Sequence, residues 1–313
     1  MCGRVACALC ESDIVARLKS QLGDKRAFLW QASPCLGDYT PSFNKAPGSF
    51  NPVLISPTHV KSCDEDDSAG IIQVMRWGLI ASFVPNAVQQ ASSSSKFATA
   101  NARAEGILQR PSYRDSFKHG RMCVVVTQGF YEWARHKTNK KQPYFACLPG
   151  ESKPLVLMAG VFSVNKEQTL YSYSIITTEA VNEMASIHDR MPVIFSDPED
   201  VFDWLNSTGD SVGATLRLLQ NLVSKLKTLQ LQIHPVTPLM NSTAFDCHQC
   251  VEPLADLKPL VKDPPHTGKI DKFFVKKVTI KREKPETDDP SDHPPPKLPS
   301  LEPYPTNLKP ENH

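Results

Sequence analysis

No stretch of this chain approaches the roughly 18 consecutive apolar residues that a membrane-spanning helix requires. The apolar run in the opening MCGRVACALCESD is also too short for a secretory signal. A soluble protein that is not secreted is therefore expected. A dominant charge is missing too: 35 Lys and Arg face 33 Asp and Glu, leaving a formal net charge of +2. That balance demands no polyanionic partner over the whole surface, so any polyanion site has to be a local patch. The nine cysteines lack the even, regular spacing of a secreted disulfide framework, which points to a reducing compartment and free thiols. Two short pairs, Cys7 with Cys10 and Cys247 with Cys250 around His248, have zinc-ligand spacing but no glycine-rich knuckles. Buried free cysteine is the plainer reading, and neither a metal nor a cofactor is expected.

What is present is one globular stretch and a tail. The 313 residues are 40% hydrophobic, enough for one large core or two modest ones. From about Pro264 the sequence fills with Pro, Lys, Asp and Glu and cannot bury enough apolar surface to offset its ordering entropy. The expected organisation is a domain over residues 1–260 and a disordered tail over 261–313. Short β-rich runs at 52–56, 123–127, 144–148, 155–162 and 171–177 alternate with helical spacing at 13–22, 181–186, 198–205 and 211–226. An acidic stretch at 62–68 and a serine-rich one at 91–96 read as surface insertions. The fold class is α+β, with antiparallel strands in a curved or barrel-like sheet and flanking helices.

The chemistry starts at Cys2. Removal of Met1 would leave an α-amine and a thiol on one residue. An α-amine has an ordinary pKa near 8, so a useful fraction is neutral at pH 7 and can attack an aldehyde. The neighbouring thiol can then close a thiazolidine ring on the iminium carbon. The same residue could instead attack an acyl group as an amidase nucleophile, given an oxyanion hole. Position alone also permits Cys2 to have no chemical role.

Other segments bear on that choice. Met1-Cys2-Gly3-Arg4 resembles the opening of the SOS-response-associated peptidase family. Behind it, in one order, Pro41 to Lys45 resembles that family's P-S-x-N loop and Met75 to Ile80 its R-W-G-L strand. Asn101 to Glu105 resembles N-x-R-x-E, Gly129 to Trp133 resembles G-F-Y-E-W, and Ile187 to Pro192 resembles H-x-R-M-P. The motifs span most of residues 1–255. The resemblance implies a domain that bonds covalently to abasic sites in single-stranded DNA and shields them at replication forks, with Cys2, Asn101, Glu132 and His188 as its active site. Read physically, Glu132 would relay protons during imine formation with a raised pKa, His188 would open the sugar hemiacetal, and Asn101 would orient the aldehyde oxygen or the amine. A protease, or a non-covalent reader of modified cytosine in DNA, is the alternative.

Arg4, Arg76, Arg103 and Arg190 lie in or beside these motifs and are expected to form one basic groove for phosphates. Asn44 is counted with them, and Trp77 and Phe43 would offer faces to unpaired bases, although Trp77 reads equally well as core. In the tail, Thr267 to Phe274 resembles a sliding-clamp-binding box with Ile270, Phe273 and Phe274 as anchors for the replication clamp PCNA. A hydrophobic latch on the domain is the other reading of those anchors, and Lys276, Lys277, Lys281 and Arg282 could serve as a nuclear-localisation patch. The whole implies a monomer in the nucleus.

Overall fold

The computed structural model describes residues 2–23, 27–32, 37–60, 68–84, 98–134, 141–167 and 169–257. These fall in the unit Met1–Pro259. The clamp-box anchors Ile270, Phe273 and Phe274, the basic residues that follow them and the serine-rich stretch all lie outside the described residues, as does nearly all of the acidic stretch.

Among the described residues, thirteen strands and five helices follow in chain order. The first part holds β1 (Arg4–Cys7), α1 (Glu11–Leu22), β2 (Ala27–Gln31), β3 (Ser42–Lys45), β4 (Phe50–Ile55) and β5 (Ser68–Trp77). The middle holds β6 (Asn101–Arg103), α2 (Pro111–Lys118), β7 (Met122–Thr127), β8 (Gly129–Ala134), β9 (Gln142–Cys147), β10 (Val156–Val164) and β11 (Tyr171–Glu179). The last part holds α3 (Met184–Ile187), β12 (Arg190–Pro192), α4 (Pro198–Leu205), α5 (Val212–Lys225) and β13 (Gln232–Pro235).

Local chemistry explains the helix limits. At α4, the Asp197 carboxylate accepts from the Glu199 N–H at 2.9 Å, Pro198 opens the first turn, and Glu199 and Asp200 complement the N-terminal dipole. At α1, the chain leaves the helix through Gly23 at φ 115°, a conformation that a side chain would strain. The short α2, with polar residues at most of its positions, is not foreshadowed by apolar spacing.

One sheet runs β13-β9-β8-β1-β3, all antiparallel. In the other, β11, β10, β7, β4 and β5 pair successively antiparallel, and β5 returns to β11 through Arg76 with Ser172 and Trp77 with Tyr173. A ring of five strands cannot alternate direction all the way round, so one pairing has to be parallel. It is the β5–β11 contact, and β2 on β5 and β6 on β11 are parallel as well. The barrel-like expectation is met, with these parallel seams added. Both faces of the ring strands are buried. Val124 and Val126 face a cluster with α1, α4 and α5, whereas Cys123 and Val125 face a second cluster holding Cys2, Val5 and Phe130. Such two-sided burial accounts for the continuous apolar runs seen in the sequence.

Candidate active site and nucleic-acid groove

Cys2 leads into β1 and is fully buried in the second cluster with Val5, Trp77, Phe130 and Tyr173. Strand β1 lies along β8, with Arg4 opposite Tyr131 and Val5 opposite Phe130. Side chains alternate along β8, so Phe130 and Glu132 point to one face of the sheet and Tyr131 and Trp133 to the other. Glu132 is only 2% exposed, an unusual setting for a carboxylate, and its charge reaches the Cys2 thiol. Burial first, and the Glu132 charge second, push the thiol pKa well up, so the sulfur is held protonated at neutral pH.

His188 enters from the C-terminal end of α3, with its Nε2 3.9 Å from Glu132 Oε2. On the other side of the ring, Nδ1 lies 3.0 Å from both the Arg190 N–H and Asp189 Oδ1. With Nδ1 accepting from Arg190 N–H, the neutral ring carries its proton on Nε2, facing Glu132. A second proton on Nδ1 would face Asp189 Oδ1 at the cost of the bond from the Arg190 N–H.

Asn101 belongs to β6, held in parallel register on β11 opposite Ile175. Its Nδ2 donates to the Cys2 carbonyl at 2.8 Å, which fixes the amide orientation. Its Oδ1 is buried with no hydrogen-bond partner among the described residues. An acceptor left so costs free energy unless a donor arrives. Cys2, Asn101, Glu132 and His188, which come from four separate stretches, thus meet around one residue.

The arginines divide. Asn101, Arg103 and Arg190 line one open groove of about 640 Å³ together with Glu105, Arg110 and Glu179. Arg190 is bidentate to Glu105, at 2.8 and 3.0 Å, and also donates to the Thr177 carbonyl at 2.7 Å. Arg4 shares the Tyr131 and Trp133 face, away from Glu132. Its guanidinium lies over the Trp133 ring and donates to Asn44 Oδ1 and to the Met240 carbonyl at 3.1 Å. The Asn44 amide in turn reaches the Met240, Ser242 and Phe245 carbonyls at 2.7–3.0 Å. Arg4 and Asn44 therefore fasten the 240–245 segment to the sheet, and neither is part of the groove lining.

Arg76 and Trp77 are buried, and for Trp77 this is the core reading. Arg76 is 3% exposed and donates to the Gly78 carbonyl at 2.7 Å. Trp77 is fully buried, donates to the Ala100 carbonyl at 3.0 Å and stacks on Tyr173 with ring planes 7° apart. The R-W-G-L segment closes the ring of strands, and Gly78 makes the exit turn at φ 107°. Phe43 packs edge-on to His248, and its carbonyl accepts the Tyr131 hydroxyl at 2.6 Å. The zinc-like pairs are placed differently too. Cys7 accepts from the Tyr39 hydroxyl, His248 pairs with Glu252 at 2.8 Å, and no group of three or more potential ligands is placed for a metal among the described residues.

Two residues escaped the sequence reading. Arg110 lines the groove and carries no motif signal. Phe83 is 56% exposed, beyond Leu79, whose N–H is bonded to the Thr99 carbonyl two residues before Asn101.

A profile of the SOS response associated peptidase (SRAP) family matches residues 1–243. A rat protein named abasic site processing protein HMCES is 33% identical over 318 residues, covering 92% of this chain and 85% of its own length. The Bacillus subtilis abasic site processing protein YoaM is 31% identical, covering 66% of this chain and 82% of its own. A crystal structure of a Bacteroides thetaiotaomicron protein superposes with a TM-score of 0.55 at 22% identity, covering 80% of this chain and 99% of that one.

Proposed function

The chain belongs to the SOS response associated peptidase family, and from that membership we propose that it processes abasic sites in single-stranded DNA by bonding to them through Cys2. The observation that carries the reading is the convergence of Asn101, Glu132 and His188 on a buried Cys2. Relatives named for abasic-site processing support the substrate.

Once Met1 is removed, the Cys2 α-amine attacks the aldehyde carbon of the ring-opened sugar. Asn101 Oδ1 is the acceptor available to orient that amine. The carbinolamine loses its hydroxyl as water, with His188 in its imidazolium form supplying the proton and returning to the neutral ring, and leaves a cationic iminium beside Glu132. A carboxylate there favours the cation in a dry site. The Cys2 thiol, kept protonated by burial, adds second: its sulfur bonds to the iminium carbon and its proton passes to Glu132. The amine-first order follows from that protonation, because a neutral thiol is the poorer opening nucleophile. Groove arginines Arg103, Arg110 and Arg190 take the flanking phosphates, and Phe83 offers the stacking face first assigned to Trp77. The proposed setting is the nucleus, at replication forks, with the tail anchors recruiting the clamp.

Incubation with a single-stranded oligonucleotide bearing one abasic site should give a heat-stable adduct, with the intact mass showing loss of Met1. No adduct, or equal crosslinking by Cys2→Ala, overturns the reading.

A further inference from the structure

A second depression borders the groove and has no part in the chemistry above. It has a volume of about 470 Å³ and lies between the 104–109 segment and α5, within the roughly 300–1,000 Å³ range of small-molecule sites. Its walls are apolar, from Ile107, Leu216, Leu219 and Val223, and two amide side chains, Gln109 and Gln220, stand at it. Ile107 and Leu219 are each 2% exposed, and Gln109 and Gln220 are exposed. Glu105, Gly106 and Gln109 line both this pocket and the groove that holds Asn101, Arg103 and Arg190. The two sites therefore share a wall, and Gly106 adds no side chain to it.

We infer that this pocket receives an unpaired nucleobase, that of the nucleotide next to the abasic site on the same strand. The inference rests on the proposed function for the identity of the strand. Apolar walls suit a base face, and a glutamine amide both donates and accepts, which suits the polar edge of any base. Continuity with the groove gives the reason for a base over another apolar group: a strand whose phosphates lie on Arg103 and Arg190 carries its bases past the shared wall. The neighbour of an abasic site has also lost one stacking partner, so it is the base that leaves the strand at least cost.

The test uses the full chain and oligonucleotides in which one neighbour of the abasic site, on either the 5′ or the 3′ side, is replaced by a base-free tetrahydrofuran nucleotide. Affinity is measured by anisotropy with Cys2→Ala, and adduct formation with the unaltered protein. Removing the base on one side should weaken binding about tenfold, as loss of one stacked base does, while removal on the other side has little effect. Leu216→Trp, which fills the pocket, should shrink that ratio below about twofold. Gln220→Ala, on an exposed position of α5, should lower it in part and guards against a misfolded tryptophan variant. Equal binding with and without either neighbouring base overturns the inference, as does a tenfold ratio that persists in both variants. If adducts form without base dependence, the pocket assignment fails alone. If base dependence is seen without adducts, the covalent reading fails alone.

Discussion

At the scale of single residues, environment divides the labour. Glu132, at 2% exposure beside a buried thiol, is the proton acceptor of the proposed reaction, whereas Glu105, on the surface, pairs with Arg190. Glu132→Gln keeps the shape of the side chain and removes the base. It should slow adduct formation about a hundredfold in single-turnover assays on denaturing gels, with affinity for undamaged single strands changed less than about twofold. Equal loss of both would mark Glu132 as structural. Lys45 makes a different prediction. Burial lowers its ammonium to about 8, against the opposing pull of Cys7 and Asp246, while its Nζ donates to the Phe50 carbonyl. The folded value lies below the unfolded one, so the folded state sheds the proton first. Stability then rises with pH from about 8 towards the ordinary lysine range, and below that window the fold carries a buried cation. The melting-temperature advantage of Lys45→Met over the unaltered protein should thus shrink between pH 8 and 10, and an advantage that grows there would contradict the assignment.

At the scale of elements, two motif segments read as ligand contacts fasten the fold. The Asn44 amide holds the carbonyls of Met240, Ser242 and Phe245, and its oxygen takes the Arg4 guanidinium. Asn44→Ala should cost about 2–4 kcal/mol, from several hydrogen bonds each worth about 1 kcal/mol, and should speed proteolysis within 236–251. Unchanged denaturant midpoints would refute it. Trp77 sits at the seam that closes the five-strand ring. Its replacement by Ala should cost about 3–5 kcal/mol, measured by chemical denaturation, and a loss of DNA affinity with no loss of stability would restore it as a base platform. Sequence periodicity found α4 at its observed limits and placed α1 and α5 within two residues of theirs, because their apolar faces and caps are local. Strands β1, β6 and β12 escaped the reading as strands: at three or four residues each, their strand character is set by pairing with β8 and β11.

At the scale of the whole molecule, a near-neutral protein approaches a polyanion. The groove holds Arg103, Arg110 and Arg190 against Glu105 and Glu179, so it can neutralise only a few phosphates. The logarithm of single-strand affinity should fall against the logarithm of salt with a slope of about −2, at about −0.7 per phosphate for two or three contacts. A much steeper slope would require further basic surface, and Glu105→Gln, which frees Arg190, should steepen it by under one unit.

The sequence by itself determined which residues to look for and the fold class. Cys2, Asn101, Glu132 and His188, which the fold brings together, each sit in a short motif whose spacing is local, and the α+β class followed from alternating runs along the chain. Only the tertiary structure decided which motif arginines line the groove. Arg76 and Trp77 pass into the ring seam and Arg4 and Asn44 into a strap, while Arg103 and Arg190 remain on the groove beside an unforeseen Arg110. The reason is physical: burial is a property of pairing between distant segments, and the face that a side chain presents is set by register across the sheet rather than by its neighbours in sequence.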